Sequence, residues 1–280
     1  TMAARAGAIA VERAGIDIAD VDVVAYFGSK AMDYQVWSAS PKVIDLLGAS
    51  NAWALEMANV SCGGPVAIAT AAGLLNGDPS IRNLLLVGGC RESHLLDYSN
   101  QRSRFMFNFG DGGAAALLST SLEPRHEVVS YRIISDGQFA DDVAVYGGGT
   151  RMPASHQTVD DRRHFLDVAD PASMKERLDP VSGANFLKVA TEACERGGVS
   201  IEDISLFPLL HTKRSFHDWI VDALGIPPER AVYIDHHGHM SGLDPIVGLD
   251  LRQDELEPGD LVLMLSAGTG YTWAATLIRW

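Results

Sequence analysis

A cysteine followed by two glycines is the residue in this sequence best placed to act as a nucleophile. Cys62 follows a loop and stands directly before Gly63-Gly64 and a segment of small apolar residues that is predicted to be helical. At a helix N-terminus, the helix dipole and the unpaired amides favour the thiolate, which is the nucleophilic form of cysteine. The two glycines would let a ligand approach the backbone. The alternative is that Cys62 is a small core residue, because free cysteine is among the most buried residue types.

Two histidines could act together with this cysteine. His211 follows the predicted strand 206–210, and the carboxyl ends of buried strands are where sites form in α/β sheets. A structural histidine is the alternative interpretation. His239 ends the segment Asp235-His236-His237-Gly238-His239, whose spacing matches no zinc motif and is accompanied by no cysteine pair. We therefore expect no metal site.

A glycine-rich segment offers a different chemistry. Gly110-Asp111-Gly112-Gly113-Ala114-Ala115 contains the pattern GxGxxA, which binds dinucleotides when a long helix follows it. Here residues 116–120 have the pattern of a strand, and a loop with Pro124 comes next. We therefore expect no dinucleotide site.

The chain contains two copies of one pattern, and this duplication pairs Cys62 with His239. At nearly constant offsets, residues 12–30 match 195–213, residues 43–48 match 220–225, and residues 83–87 match 260–264. The last two matches share one offset, which also relates Cys62 to His239. If the two halves pack about a pseudo-twofold axis, the helix N-termini that carry these two residues can face each other.

The repeated order of elements predicts the fold class. Each copy runs helix, strand, helix, loop, helix and strand, and ends in a glycine-rich turn and a last strand. This alternation implies mixed sheets covered by helices on both faces, an α/β fold. We predict an N-terminal half at residues 1–122 and a C-terminal half at 123–280. Residues 136–185 have no counterpart in the first half and are expected to form an inserted loop or lid region.

Composition and charge restrict the partners. Of the 280 residues, 47% are hydrophobic and 21% charged, and the formal net charge is −14. A negative field repels phosphate backbones and anionic membrane surfaces, so we expect neither nucleic acid nor membrane as a partner. The apolar runs at 84–87 and 261–265 are of strand length and too short to span a bilayer. Three cysteines, Cys62, Cys90 and Cys194, do not make a disulfide framework, which favours a cytoplasmic protein.

Four segments together carry a resemblance to a known family. They are Asn59-Val60-Ser61-Cys62-Gly63-Gly64, Phe109-Gly110-Asp111-Gly112-Gly113-Ala114-Ala115, Gly238-His239-Met240-Ser241, and Pro258-Gly259-Asp260 with Gly268-Thr269-Gly270-Tyr271-Thr272-Trp273. With them, the chain resembles the ketoacyl-acyl-carrier-protein synthase III group of the thiolase superfamily over almost its whole length. The resemblance implies a thiolase-like duplicated fold, layered α-β-α-β-α with mixed sheets.

The resemblance also implies a Cys-His-Asn triad in which the cysteine carries an acyl group. Cys62 falls on the nucleophile and His211 on the histidine, whereas His239 stands where the family has asparagine. A Cys-His-His set is similar to that of the chain-elongating synthases. The family's His-Gln-Ala-Asn string is also replaced, by His211-Thr212-Lys213-Arg214. Backbone N–H groups of Cys62 and, by resemblance, of Thr269 would hold the oxyanion.

These roles predict a condensing enzyme with no permanently bound cofactor. The Cys62 thiolate would attack an acyl thioester of coenzyme A or of acyl carrier protein. A malonyl-type thioester would then decarboxylate, with its enolate oxygen held by N–H donors from His211 and His239, and the carbanion would take the acyl group. One alternative is an acyltransferase in which His211 acts as general base for an alcohol or amine. Another is a non-catalytic partner subunit.

Four basic residues are candidates for a rim around the site. Lys213 and Arg214 follow His211, and Arg102 and Arg104 precede the Gly110 segment. Such a rim would bind the phosphates of coenzyme A or of a phosphopantetheine arm, although ordinary solvated charges are equally consistent. The net charge of −14 would repel an acidic carrier protein, which favours coenzyme A as the first donor.

The resemblance implies two further properties. Family members are homodimers in which a strand next to the nucleophile pairs across the interface, and Ala54–Val60 is the candidate strand. The family also begins earlier, so we expect a preceding segment in the full gene product. A sheet without that segment would lack a central strand and expose an edge.

Overall fold

The structure, a computed structural model, describes residues 1–280. Its α-helices are α1 (Met2–Ala14), α2 (Ala39–Leu47), α3 (Gly63–Gly77), α4 (His156–Asp160), α5 (Pro171–Arg196), α6 (Arg214–Leu224) and α7 (Asp244–Arg252). Its strands are β1 (Val23–Tyr26), β2 (Trp53–Glu56), β3 (Asn83–Arg91), β4 (Asp111–Ser119), β5 (Glu127–Ser135), β6 (Val143–Val145), β7 (Leu166–Val168), β8 (Ile204–Pro208), β9 (Ala231–Val232), β10 (Leu261–Gly268) and β11 (Thr272–Arg279).

Two large mixed sheets repeat the same arrangement of strands. The first has the order β2-β1-β3-β4 and the second β5-β11-β10-β8-β9. In the first sheet β1 is parallel to β2 and β3, and in the second β8 is parallel to β9 and β10. β4 and β11 run antiparallel to β3 and β10. All strands of the first sheet precede residue 122, and all strands of the second follow it.

Three hydrophobic clusters pack five layers together. Helices α3 and α7 lie between the sheets, where Ile68 and Ile246 pack with Leu84 of β3 and Met264 of β10. Helices α1 and α2 cover the outer face of the first sheet, and α5 and α6 cover that of the second. The layers therefore run α-β-α-β-α, and the predicted α/β class with mixed sheets is confirmed.

Glycines end equivalent helices of the two halves in the same way. Gly48 follows α2 with φ of 73°, and Gly225 follows α6 with φ of 69°. Glycine adopts this left-handed conformation without a steric penalty, so the helix stops there. The sequence match between 43–48 and 220–225 is thus the end of a helix together with its cap.

Helix α3 owes its apolar composition to its position between the sheets. The stretch Val60–Gly77 could cross a membrane by length and composition alone, and half of it is buried inside the protein. This stretch is longer than the apolar runs at 84–87 and 261–265, from which alone the sequence predicted that no segment spans a bilayer. Because Ala67 and Ala71 pack in the central cluster, burial between two sheets accounts for the composition.

The first sheet has one strand fewer than the second, and the difference lies at its edge. β5 pairs with β11, whereas nothing occupies the equivalent position beside β4. The expectation that a central strand would be missing is therefore wrong, because the unmatched strand of the second sheet is an outer one. β2 forms the other edge of the first sheet and is largely exposed.

Residues 136–185 form a small structured unit. β6 and β7 pair into a two-stranded antiparallel sheet, α4 lies between them in the chain, and the first turns of α5 follow. Val143 and Val168 share an apolar cluster with Leu96 and Met106 of the first half. The insertion is thus attached to the loop that joins β3 and β4.

Candidate functional site

A strained turn introduces helix α3 and carries the candidate nucleophile. Val60–Cys62 form a single 3-10 turn, and Cys62 is the residue immediately before α3. Val60 has φ of 48°, a conformation that β-branched residues rarely adopt. Ser241, in the equivalent turn before α7, has φ of 58°. Such strain persists only where surrounding packing enforces it, and it concentrates at functional sites.

The two turns pack against each other backbone to backbone. A Cβ atom on Gly242 would lie 2.8 Å from Gly63 Cα, and one on Gly64 would lie 2.5 Å from the Gly242 carbonyl oxygen. Only glycine fits at these contacts. The helix N-termini therefore face each other, as the duplication predicted, and residues 59–64 are brought beside residues 239–244.

The thiol of Cys62 is enclosed by protein. Cys62 has no exposed surface, and its Sγ lies 3.6 Å from the carbonyl oxygen of Ser266, its hydrogen-bond acceptor. Val66 and Ala274 are its buried apolar neighbours. Burial raises the pKa of the thiol, which opposes the stabilisation of thiolate expected at a helix N-terminus.

The serine beside it makes the contact with a histidine. Ser61 Oγ lies 2.8 Å from His239 Nε2, and His239 Nδ1 lies 2.6 Å from Asp244 Oδ2. All three side chains are buried. Both ring nitrogens of His239 thus have protein partners, so donation from Nε2 to a substrate requires displacement of Ser61.

Asp244 connects the two candidate histidines. It is the first residue of α7 and is completely buried. Its Oδ2 accepts the backbone N–H of His211 at 2.9 Å, and its Oδ1 accepts the N–H of Met240 at 2.7 Å. These bonds and the helix N-terminus stabilise its negative charge and fix the direction of both carboxylate oxygens.

The two histidines have opposite electrostatic environments. Burial lowers the pKa of His239, but the charge and hydrogen bond of Asp244 outweigh it, so the pKa is raised overall. Burial lowers the pKa of His211. His211 Nδ1 is buried without a hydrogen-bond partner, so no group of the protein uses its hydrogen-bonding capacity.

The predicted oxyanion donors differ in availability. The Cys62 N–H donates to the Asn59 carbonyl at 2.9 Å, whereas the Thr269 N–H makes no hydrogen bond. Gly268, at the end of β10, packs on the turn so closely that a Cβ atom there would lie 2.8 Å from the Cys62 nitrogen. Thr269 directly follows Gly268, which contacts the Val60–Cys62 turn. The backbone N–H of Thr269 is therefore close to this turn in the chain and has no acceptor.

The glycine-rich segment supports the loop that carries His239. The Gly110 N–H donates to the His239 carbonyl, and the His239 N–H donates to the Asn108 carbonyl, each at 2.8 Å. A Cβ atom on Gly110 would lie 2.1 Å from the His237 carbonyl oxygen. Strand β4 begins at Asp111, within this segment, and continues to Ser119 through the residues that the sequence predicted to be a strand.

Two of the four predicted rim residues have carboxylate partners. Arg102 pairs with Asp167, and Arg214 Nε lies 2.9 Å from Asp218. Arg214 also lies over the ring of Tyr233, beside a cavity of about 660 Å³. Lys213 and Arg104 are exposed and form no ion pair, so they are the two candidates without a carboxylate partner.

Sequence reasoning missed Ser61 and Asp244. Both are close in sequence to residues that were identified, since Ser61 precedes Cys62 and Asp244 comes five residues after His239. The sequence does show that Asp244 is an acidic residue at the start of a predicted helix. Such a residue is commonly only a capping group, so this feature alone did not indicate a role in the site.

No group of three or more His, Cys, Asp or Glu side chains is arranged to hold a metal ion.

The duplicated five-layer fold, with its candidate site between the paired helix N-termini, defines a thiolase-fold enzyme. Residues 55–137 match the family model described as 3-oxoacyl-[acyl-carrier-protein (ACP)] synthase III, and residues 194–280 match the model of its C-terminal part. The chain belongs to the 3-oxoacyl-acyl-carrier-protein synthase III family.

Relatives agree with this assignment, and a solved structure shares the fold. The sequence is 30% identical over 241 residues to the beta-ketoacyl-[acyl-carrier-protein] synthase III of Chlorobium phaeobacteroides, covering 84% of this chain and 70% of the relative. Identity to the Solibacter usitatus protein of the same name is 27% over 284 residues, covering 100% and 83%. The Aquifex aeolicus 3-oxoacyl-[acyl-carrier-protein] synthase III structure has the same fold, with a TM-score of 0.84, 21% identity, and coverage of 100% of this chain and 85% of the other.

Proposed function

We propose that this enzyme condenses acyl thioesters, with Cys62 carrying the acyl group. The observation that carries the proposal is the position of Cys62 directly before α3, in the turn that packs against the turn of the other half. Relatives named beta-ketoacyl-[acyl-carrier-protein] synthase III support the reaction class. The neutral, enclosed thiol must lose its hydrogen bond to Ser266 before it can attack.

In the proposed reaction, the Cys62 thiolate attacks the thioester carbonyl and expels a thiol. The free Thr269 N–H is the candidate donor to the oxyanion. A malonyl-type thioester then loses CO₂, and its carbanion takes the acyl group from Cys62. His211 Nδ1, which has no protein partner, is available to hold the enolate oxygen when it carries a proton.

Coenzyme A is the proposed first donor, and acyl carrier protein is the second candidate donor. Lys213 and Arg104 are the cations available for the phosphates, since Arg102 and Arg214 are already paired. An acidic carrier protein would approach a surface whose net charge is −14. We also propose a cytoplasmic homodimer, for which the three unpaired cysteines and the exposed edge strand β2 are the supporting features.

Acyl transfer to an alcohol or amine is the second candidate, and the Asp244–His239 contact favours it. In neutral His239, Asp244 holds the proton on Nδ1 and leaves Nε2 as an acceptor. An acceptor nitrogen is what a general base needs, whereas an enolate requires a donor. Release of CO₂ from malonyl-coenzyme A separates the two candidates, because simple acyl transfer releases none.

Covalent labelling tests the role of Cys62. Intact protein is incubated with acetyl-coenzyme A or hexanoyl-coenzyme A, and its mass is measured before and after peptide mapping. We expect an acyl adduct on Cys62 that is absent from Cys62→Ala, since alanine has no nucleophile. Cys194→Ala is the matched control, because Cys194 is also buried but lies on α5. A native adduct that maps only to residues other than Cys62 would exclude Cys62 as the acyl carrier, and no labelling of the native protein would favour a non-catalytic subunit.

A further inference from the structure

Of the neighbours Ser61 and Cys62, it is Ser61 whose side chain hydrogen-bonds to a histidine. Ser61 thereby belongs to a continuous chain of hydrogen bonds. Ser61 Oγ lies 2.8 Å from His239 Nε2, and His239 Nδ1 lies 2.6 Å from Asp244 Oδ2. We propose that Ser61, His239 and Asp244 form a catalytic triad that hydrolyses acyl thioesters and esters. This activity is separate from condensation at Cys62, and it rests on the proposed function only for its substrate class.

The geometry meets the requirements of a nucleophile, a base and an orienting carboxylate. Both distances lie within the range of about 2.6–3.2 Å expected for such contacts. Asp244 is held through both oxygens by the backbone N–H groups of His211 and Met240, so it cannot rotate away from the imidazole. The imidazole is therefore presented to Ser61 in one orientation.

Degree of burial and polar partners also distinguish Ser61 from Cys62. Ser61 retains 9% of its surface, whereas Cys62 retains none. Cys62 Sγ contacts only a carbonyl oxygen as a polar partner. The backbone strain at Val60 immediately precedes Ser61, as strained turns do where they present a nucleophile.

The contact could instead simply satisfy three buried polar groups, as buried groups generally require. A buried ionic network is a weak source of stability, since apolar residues of similar size stabilise a core as well or better. Here the network lies between the two helix N-termini and ends at Ser61, in the turn that directly precedes α3. That arrangement favours catalysis over packing.

The proposed reaction has two balanced steps. In the first, Ser61 Oγ attacks the thioester carbonyl while its proton moves to His239 Nε2, and Asp244 stabilises the resulting imidazolium. The C–S bond breaks, and the leaving thiol takes the proton from His239, so that an ester forms on Ser61. In the second, water attacks this ester and its proton passes through His239 to Ser61 Oγ. The net reaction converts thioester and water to carboxylic acid and thiol.

Hydrolysis and active-site labelling of variants test the triad. Thiol release from hexanoyl-coenzyme A, cleavage of p-nitrophenyl acetate, and labelling by a fluorophosphonate probe are measured for the native protein and its variants. We expect the native protein to show hydrolysis and to carry the probe adduct on Ser61. Ser61→Ala should lose both, with hydrolysis falling on the order of 10²-fold or more. Asp244→Asn should slow labelling on the order of 10³–10⁴-fold, since the amide favours the wrong tautomer.

Ser40→Ala is the matched control, because Ser40 is a buried serine whose hydroxyl bonds only to backbone groups of Leu55 and Tyr26. It should hydrolyse and label like the native protein. Labelling or hydrolysis that persists in Ser61→Ala would overturn the triad, and so would a native protein inert to all three probes. Loss of hydrolysis in Cys62→Ala alone would assign the reaction to Cys62 instead. An acyl adduct on Cys62 is scored independently, so failure of the triad and failure of the condensing function are distinguishable.

Discussion

At the level of single residues, Asp244 determines which chemistry His239 can perform. With one proton on Nδ1, held by Asp244, the ring offers an acceptor to Ser61 and acts as a base. With a second proton it offers an N–H donor, as an enolate would require. Under the proposed functions, neutral His239 would serve hydrolysis or acyl transfer and charged His239 would serve condensation, so we expect the balance between them to depend on pH.

The first prediction follows from the raised pKa of His239. Asp244 and Glu92 raise this pKa, burial lowers it, and His211 is the neighbouring histidine. Because the base must be neutral, ester hydrolysis should be lost as pH falls through a value above the ordinary 6.5 or so. The pH profile of kcat/KM for p-nitrophenyl acetate measures this value.

Asp244→Asn provides the comparison for that profile. Removal of the negative charge lowers the pKa of His239, so the residual activity of this variant should persist to lower pH than that of the native protein. A native midpoint below the ordinary histidine range, or an unchanged midpoint in Asp244→Asn, would contradict the role of Asp244.

At the level of elements, the site depends on the close approach of two turns. The turn before α3 and the turn before α7 come together because Gly63, Gly64 and Gly242 have no side chains. This contact brings Ser61 within hydrogen-bonding distance of His239. Helix propensity alone would disfavour these glycines, so their presence reflects packing between the halves.

The second prediction concerns Gly242→Ala. The new Cβ atom would lie 2.8 Å from Gly63 Cα and 3.0 Å from the Val60 carbonyl oxygen, and backbone atoms cannot move aside cheaply. We expect the free energy of unfolding to fall by about 1–3 kcal/mol, as overpacking commonly causes, and activity to fall with it. Urea unfolding measures the change.

Gly73→Ala is the control for the same substitution. Gly73 is an exposed residue of α3, and a Cβ atom there would meet nothing within 4 Å. Alanine should raise the free energy of unfolding there by up to about 1 kcal/mol, because it favours helix. Equal effects of the two substitutions would show that the contact between the turns is unimportant.

At the level of the whole molecule, edges and net charge control association. β2 forms one edge of the first sheet, and its Trp53 is 47% exposed. An unpaired edge can extend its sheet into a second copy. Each chain carries a formal charge of −14, so two copies repel each other at low ionic strength.

The third prediction is a homodimer that is stabilised by salt. Light scattering at micromolar concentration should give twice the mass of 30.1 kDa, with a larger dimer fraction at higher ionic strength. Trp53→Glu should shift the equilibrium to monomer, because it places a further negative charge at the edge strand. Trp219→Glu, at a similarly exposed tryptophan of α6, should leave the dimer intact. A monomeric native protein would contradict the prediction.

The sequence by itself determined the duplicated α/β fold and the candidate residues Cys62, His211 and His239. Local patterns encode such features directly: strands appear as apolar runs, helix ends as glycines, and duplicated halves as matching segments.

The tertiary structure decided which side chains meet. Cys62 and Ser61 are neighbours in the chain, yet their side chains point to different partners. The strained turn buries the Cys62 thiol beside Ser266 and directs the Ser61 hydroxyl toward His239. Asp244 acquires its role only because the turn before α7 folds back on His239. Contacts of this kind depend on backbone direction and on packing between the halves, and no local pattern encodes them.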